Sequence, residues 1–166
     1  MTGRVAALGV IAGLALGGCG SSSVDKVQVQ RLSTIRQVLQ VYQDPNNALA
    51  RGYVQGPKCV ESSDGSGAMG TVFINITDPF KTVNFGQPQE LFYDLNPAHA
   101  GPQLLGVGYI EKATGQRPPS TLLGHMEGPL PGTVPGEGSH YELHAWLYRH
   151  NPDGVLNFWN KNVRCA

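Results

Sequence analysis

The sequence predicts an α+β domain in which N-terminal helices pack on a mainly antiparallel β-sheet, with one long Pro/Gly-rich loop and one disulfide. Three observations carry this expectation. Apolar residues recur at helical spacing before residue 44, and at alternating spacing after residue 70. Helices therefore precede strands instead of alternating with them, which favours an antiparallel sheet over βαβ units. Two cysteines, Cys59 and Cys165, flank almost all of the strand-like region.

The helical pattern occupies residues 24–43. Leu32, Ile35, Leu39 and Tyr42 fall three or four apart, and Arg31, Arg36, Gln37, Gln40 and Gln43 fill the other face. Asp44-Pro45 reads as an N-cap followed by proline at the first helical position, opening a short second helix to about Arg51 that Gly52 ends. Beyond Cys59, Glu61 to Gly70 is a Ser/Gly/Asp loop. Val72, Ile74 and Ile76 then alternate with Thr71, Phe73 and Asn75 as in a strand. Gln89–Leu95 and Leu104–Glu111 are further strands, the latter apolar on both sides and so central. Arg117 to Gly138 holds five prolines and five glycines and is expected to be a loop. Tyr141–Arg149 is a fourth strand, Asn151-Pro152-Asp153-Gly154 a turn, and Val155–Asn160 a single helical turn.

The first residues read as an export signal, not as part of the domain. Arg4 supplies a positive start, and Val5 to Leu16 contains only Ala, Val, Leu, Ile and Gly. That run is shorter than the about 20 apolar residues a membrane-spanning helix needs. It ends in Leu16-Gly17-Gly18-Cys19, which resembles the lipobox of bacterial lipoproteins. The resemblance implies cleavage before Cys19 and lipidation of its thiol and of the new amino terminus, with palmitate among the acyl chains. Each buried methylene contributes about 0.8 kcal/mol, so several chains hold the protein to a membrane without a spanning helix. On this reading residues 1–18 are the signal peptide, 19–30 the lipidated cysteine and a flexible tether, and 31–166 a single domain. The domain lies outside the cytoplasm, anchored to a membrane of the bacterial cell envelope.

Removing residues 1–18 of the 166 leaves a chain long enough for one real core. It carries 11 basic and 12 acidic side chains, Arg4 having gone. A balance this even, without charge runs, argues against nucleic acid as a partner. With Cys19 lipidated, Cys59 and Cys165 are an even pair in an oxidising compartment, and a bridge between them is expected. Closing a loop of about 100 residues stabilises by up to about 4.7 kcal/mol in the chain-entropy account.

The chemistry concentrates in His140-Tyr141-Glu142-Leu143-His144-Ala145-Trp146. On a helix, His140 and His144 would share a face, but the glutamate is third and not second, so the zinc-protease pattern HExxH is not met. The aromatic and branched content favours a strand. His140, Glu142, His144, Trp146 and Tyr148 then face one way, and the two histidine Cα atoms stand roughly 13 Å apart. One cation cannot easily hold both, but Glu142 with either neighbour can share one. Three readings stay open. The row is a satisfied structural network, or a ligand-binding wall formed by His140, Glu142, His144 and Trp146, or part of a divalent-metal site. In the last case His125 supplies a third ligand to Glu142 and His144, with His99 the next candidate. No nucleophile elbow, phosphate-cradling glycine loop or CxxC motif is present.

The C-terminal run, from HYELHAWLYRHNPDG through FWNKNVRC, is similar to the end of a group of exported bacterial proteins of uncharacterised activity. The likeness extends to Ala48–Val60, to Gly67-Ala68-Met69-Gly70 and to Leu104–Tyr109. It implies that Cys59 and Cys165 belong to a shared frame. Members of that group tend to have histidine where this chain has Val72, and glutamate where it has Gly108. If those residues join His144 in a polar or metal site there, half of that site is missing here. Two function classes follow. The first is a lipid-anchored envelope module that binds a small ligand or a partner without catalysis. The second is a metal-dependent envelope enzyme using His125, Glu142 and His144, with Glu142 as ligand or base.

Overall fold

The computed structural model describes residues 23–77, 83–115, 117–132 and 138–165. Helix α1 runs Ser23–Val38, tightens into a 3-10 turn at Leu39–Gln43, and is followed by α2, Pro45–Leu49. Seven strands follow: β1 Tyr53–Gln55, β2 Val60–Glu61, β3 Ala68–Asn75, β4 Glu90–Asp94, β5 Gln103–Lys112, β6 Glu127–Leu130 and β7 His140–Ala145. All pairings are antiparallel, in the order β1-β3-β4-β5-β7-β6, with β2 also on β3. The fold is α+β with a mainly antiparallel sheet, and Cys59 and Cys165 form the disulfide, with S–S 2.00 Å.

Asp44 caps α2 as its sequence requires, its Oδ1 accepting from Asn46 N at 2.9 Å. The amino end departs from expectation. Helix α1 begins at Ser23, within the segment 19–30 read as tether, and Gln28 Nε2 donates to the Leu123 carbonyl at 2.9 Å. Arg31 Nη1, one turn further on, donates to the Leu122 carbonyl at 2.7 Å. Residues 1–22, including Cys19 and the stretch read as an export signal, lie outside the described residues.

The two sheet faces carry different layers. One face joins Phe73, Leu91, Tyr93, Val107, Tyr109 and Leu143 to Ile35, Leu39, Tyr42 and Ala48 in one apolar cluster. Two tyrosine hydroxyls bond to carbonyls of the helical segment, the first buried and the second exposed. Tyr93 Oη donates to the Tyr42 carbonyl at 2.6 Å, and Tyr148 Oη to the Arg36 carbonyl at 2.7 Å. The other face gathers Ala68, Met69, Val72, Phe92, Leu105, Trp146 and Val163. It is covered by the C-terminal arm, residues 155–165, with Phe158 and Trp159 packed against it. Asn160, fully buried, bridges back to Ala68.

Three strands were not expected from the sequence: β1, β2 and β6. β6 lies inside the Pro/Gly segment and pairs with β7 around a cis Gly128–Pro129 bond. The fourth strand ends at Ala145 rather than Arg149. Trp146 N bonds to the Val155 carbonyl of the arm, and Tyr148 N and Arg149 N both bond to the Leu105 carbonyl. The chain therefore turns, and Tyr148 packs with the helix-side cluster instead of continuing the histidine row. Val155–Asn160 forms turns, not the expected helical turn.

Candidate functional site

Strand geometry builds the site. β7 carries His140, Glu142 and His144 at alternate positions, so all three share the arm-covered face. Across the sheet, His144 is the register partner of Gly108, and Gly108 of Glu90. Directly opposed residues in an antiparallel sheet share a face. Glu90 therefore joins the histidine row from two strands away.

The distances converge on one small volume. His144 Nε2 lies 2.6 Å from Glu142 Oε1 and 4.0 Å from Glu90 Oε2. Glu142 Oε2 lies 3.6 Å from His140 Nε2. One ligand atom each from Glu90, Glu142 and His144 falls within 4.8 Å of the others. Gly108 makes this arrangement available. A Cβ at that position would stand 2.6 Å from Glu90 Oε2 and 3.1 Å from the Phe92 ring. The carboxylate of Glu90 occupies the space above Gly108.

The imidazole of His144 is held on every side. Its Nδ1–H donates to the Phe158 carbonyl at 2.6 Å, and the Phe158 ring stacks on it with centroids 4.1 Å apart. Phe92 meets it edge-on at 4.7 Å. With Nδ1–H committed to a carbonyl, Nε2 is the nitrogen that faces the carboxylates. It carries a proton when it donates to Glu142, or a lone pair when it ligates a metal. A backbone carbonyl fixing the far nitrogen is the usual support of a metal-bound histidine.

Burial alone would raise the Glu142 carboxyl. The charge of His144 and hydrogen bonds with His140, His144 and Glu90 outweigh it, holding the group below the usual carboxylate range. Glu142 is thus an anion in a nearly closed space, its side chain 8 % exposed beside 13 % for Glu90.

Of the residues singled out in the sequence, the structure unites His140, Glu142 and His144, and places Trp146 beside them through Phe92. These four are 1–6 % exposed, so they form a polar layer beneath the arm and not the open cleft wall expected. His125 is not part of the group. It is exposed, bridged to Ser120, on the strap whose Leu123 and Met126 bury in the helix-side cluster. His99 is also elsewhere, its Nδ1 2.7 Å from Asp94 Oδ2. The third acid–base partner is Glu90, which the sequence reading missed. Its signals were a lone charge opening an apolar strand and a glycine interrupting the next one.

No helix among the described residues is long and apolar enough to cross a membrane. No protein-family model, curated protein or solved structure matches the chain.

Proposed function

We propose that the protein is a lipid-anchored binding module of the bacterial cell envelope, exported by its first 18 residues and holding a divalent transition-metal ion at Glu90, Glu142 and His144. The observation that carries this reading is the convergence of two carboxylates on an imidazole nitrogen whose other nitrogen is locked to the Phe158 carbonyl. Two carboxylates and one imidazole leave a net negative charge in a low-dielectric pocket, which a dication offsets. Ligand atoms on a cation with bonds of about 2.0–2.2 Å stand about 3–4 Å apart. His144 Nε2 stands 2.6 Å from Glu142 and 4.0 Å from Glu90, and all three ligand atoms lie within 4.8 Å of one another, so small side-chain shifts bring them to that spacing.

The donor set of oxygen and imidazole suits zinc, manganese or ferrous iron. It is poor for calcium, which takes six to eight oxygens, and for copper(I), which favours sulfur. Among the described residues the arm covers the row and leaves the Glu142 side chain 8 % exposed, which supports binding rather than turnover. In this reading the N-terminal helices serve as packing on the opposite sheet face. The lipidated Cys19 keeps the domain at the membrane, and the disulfide accords with an oxidising compartment.

The test is a titration of the full chain in detergent with zinc and with manganese, followed by calorimetry and elemental analysis. One equivalent bound, with affinity lost in His144→Ala and reduced in Glu90→Gln, is expected. Absence of stoichiometric metal, with no change in thermal stability on adding either ion, overturns the reading. Mass spectrometry of the mature amino terminus checks the anchor, which Cys19→Ala must abolish.

A further inference from the structure

The disulfide does more than close a loop. Lys58 precedes Cys59 and Arg164 precedes Cys165, so the bridge, with Cα atoms 5.7 Å apart, sets two cationic residues on neighbouring backbones. Both segments are also tied down independently. The Lys58 carbonyl accepts from Thr71 Oγ1, and Val72 N bonds to the Pro57 carbonyl. Val163 is buried and bonds to the Asn160 carbonyl.

Lys58 and Arg164 line one cleft of about 820 Å³, together with Arg149. Its floor is Gly70, Thr71, Tyr93 and Leu105. The carboxylate in its lining is Asp94, which already has His99 at 2.7 Å and Arg149 at 3.6 Å. The cleft thus gathers three cations against one engaged acid in a chain whose formal net charge is zero. Lys58 and Arg164 are exposed, and Arg164 Nη1 donates to the Val163 carbonyl at 3.3 Å, so their charges face solvent at the cleft, where like charges around a concavity raise the local concentration of anions. The volume falls within the about 300–1,000 Å³ of small-molecule sites, and apolar floor with polar walls is their usual composition.

We infer that this cleft is a binding site for a small anion bearing a phosphate or carboxylate group, held by Lys58 and Arg164 with Arg149 beside them. The site is separate from the Glu90–Glu142–His144 group and does not depend on a metal there. Arginine and lysine suit such a ligand differently, the guanidinium by paired hydrogen bonds and the ammonium as a point charge. The anion can be free in solution or part of a lipid headgroup, and the experiment separates these.

The full chain in detergent is titrated calorimetrically with inorganic phosphate, with citrate, and with a short-chain phosphatidylglycerol, against chloride at equal ionic strength. The same titrations are made on the Lys58→Gln/Arg164→Gln double variant, whose exposed substitutions leave the fold intact by circular dichroism. Saturable binding of phosphate or citrate, weakened tenfold or more in the variant, supports a free anion. Binding of the phosphatidylglycerol alone, equally weakened, supports a headgroup. No saturable binding of any of the three, or equal binding by the variant, overturns the proposal.

Discussion

Glu90 and Gly108 are register partners on adjacent strands, and the carboxylate of the first fills the space that a side chain on the second would take. This relationship makes the smallest residue in β5 a determinant of the site.

Gly108→Ala is therefore expected to weaken zinc or manganese binding by about tenfold, equivalent to about 1.4 kcal/mol. The new methyl group displaces the flexible end of Glu90 and also presses on the Phe92 ring at 3.1 Å, the ring that packs edge-on to His144. Competition with a chromogenic chelator measures the change. Unaltered affinity in a folded variant would remove Glu90 from the ligand set.

Glu142 and His144 form a nearly buried pair 2.6 Å apart. Removing one partner of such a buried pair costs about 3–5 kcal/mol, here leaving His144 with only the more distant Glu90, 4.0 Å away. Urea unfolding of Glu142→Ala in the presence of chelator is expected to show a loss of that size. A loss below about 1 kcal/mol, the value of an exposed ion pair, contradicts the pairing.

The Cys59–Cys165 bridge spans 106 positions. Its removal by a Cys59→Ser/Cys165→Ser substitution is expected to cost about 2–5 kcal/mol. Thermal unfolding followed by circular dichroism reads this directly, and an unchanged midpoint refutes it.

Burial pushes the phenols of Tyr53, Tyr93 and Tyr109 above their ordinary value. Each hydroxyl donates to a backbone carbonyl, of Pro88, Tyr42 and Phe85 respectively. A raised folded value means that the contribution is fully present below the unfolded phenol value of about 10, and is lost as the pH rises beyond it. Alkaline unfolding is expected to coincide with the appearance of phenolate absorbance from these residues. Phenolates forming while the near-ultraviolet dichroism stays native would contradict this.

What the chain reveals before folding is mostly local. Alternation through Tyr141–Arg149 identified the strand that forms as β7, His140–Ala145, and the shared face of its polar residues, because side-chain period two is a property of the strand itself. Asp44 ahead of Pro45 identified the start of α2 for the same reason. Glu90 escaped because its place depends on β4 pairing with β5 and β5 with β7, a register set by long-range packing. β6 escaped because its Gly128 and Pro129 read as loop punctuation, and only the free edge of β7 recruits them. Tyr148 was put on the wrong side because the strand yields its hydrogen bonds to the arm and to Leu105 after Ala145.

The acid–imidazole group draws its parts from four distant stretches, at residue 90, residue 108, residues 142–144 and residue 158. No short peptide contains the whole constellation, and a nascent chain cannot assemble it until the last of these stretches has emerged. The carbonyl and ring of Phe158, contributed by the last of these stretches, shield the Nδ1 side of His144.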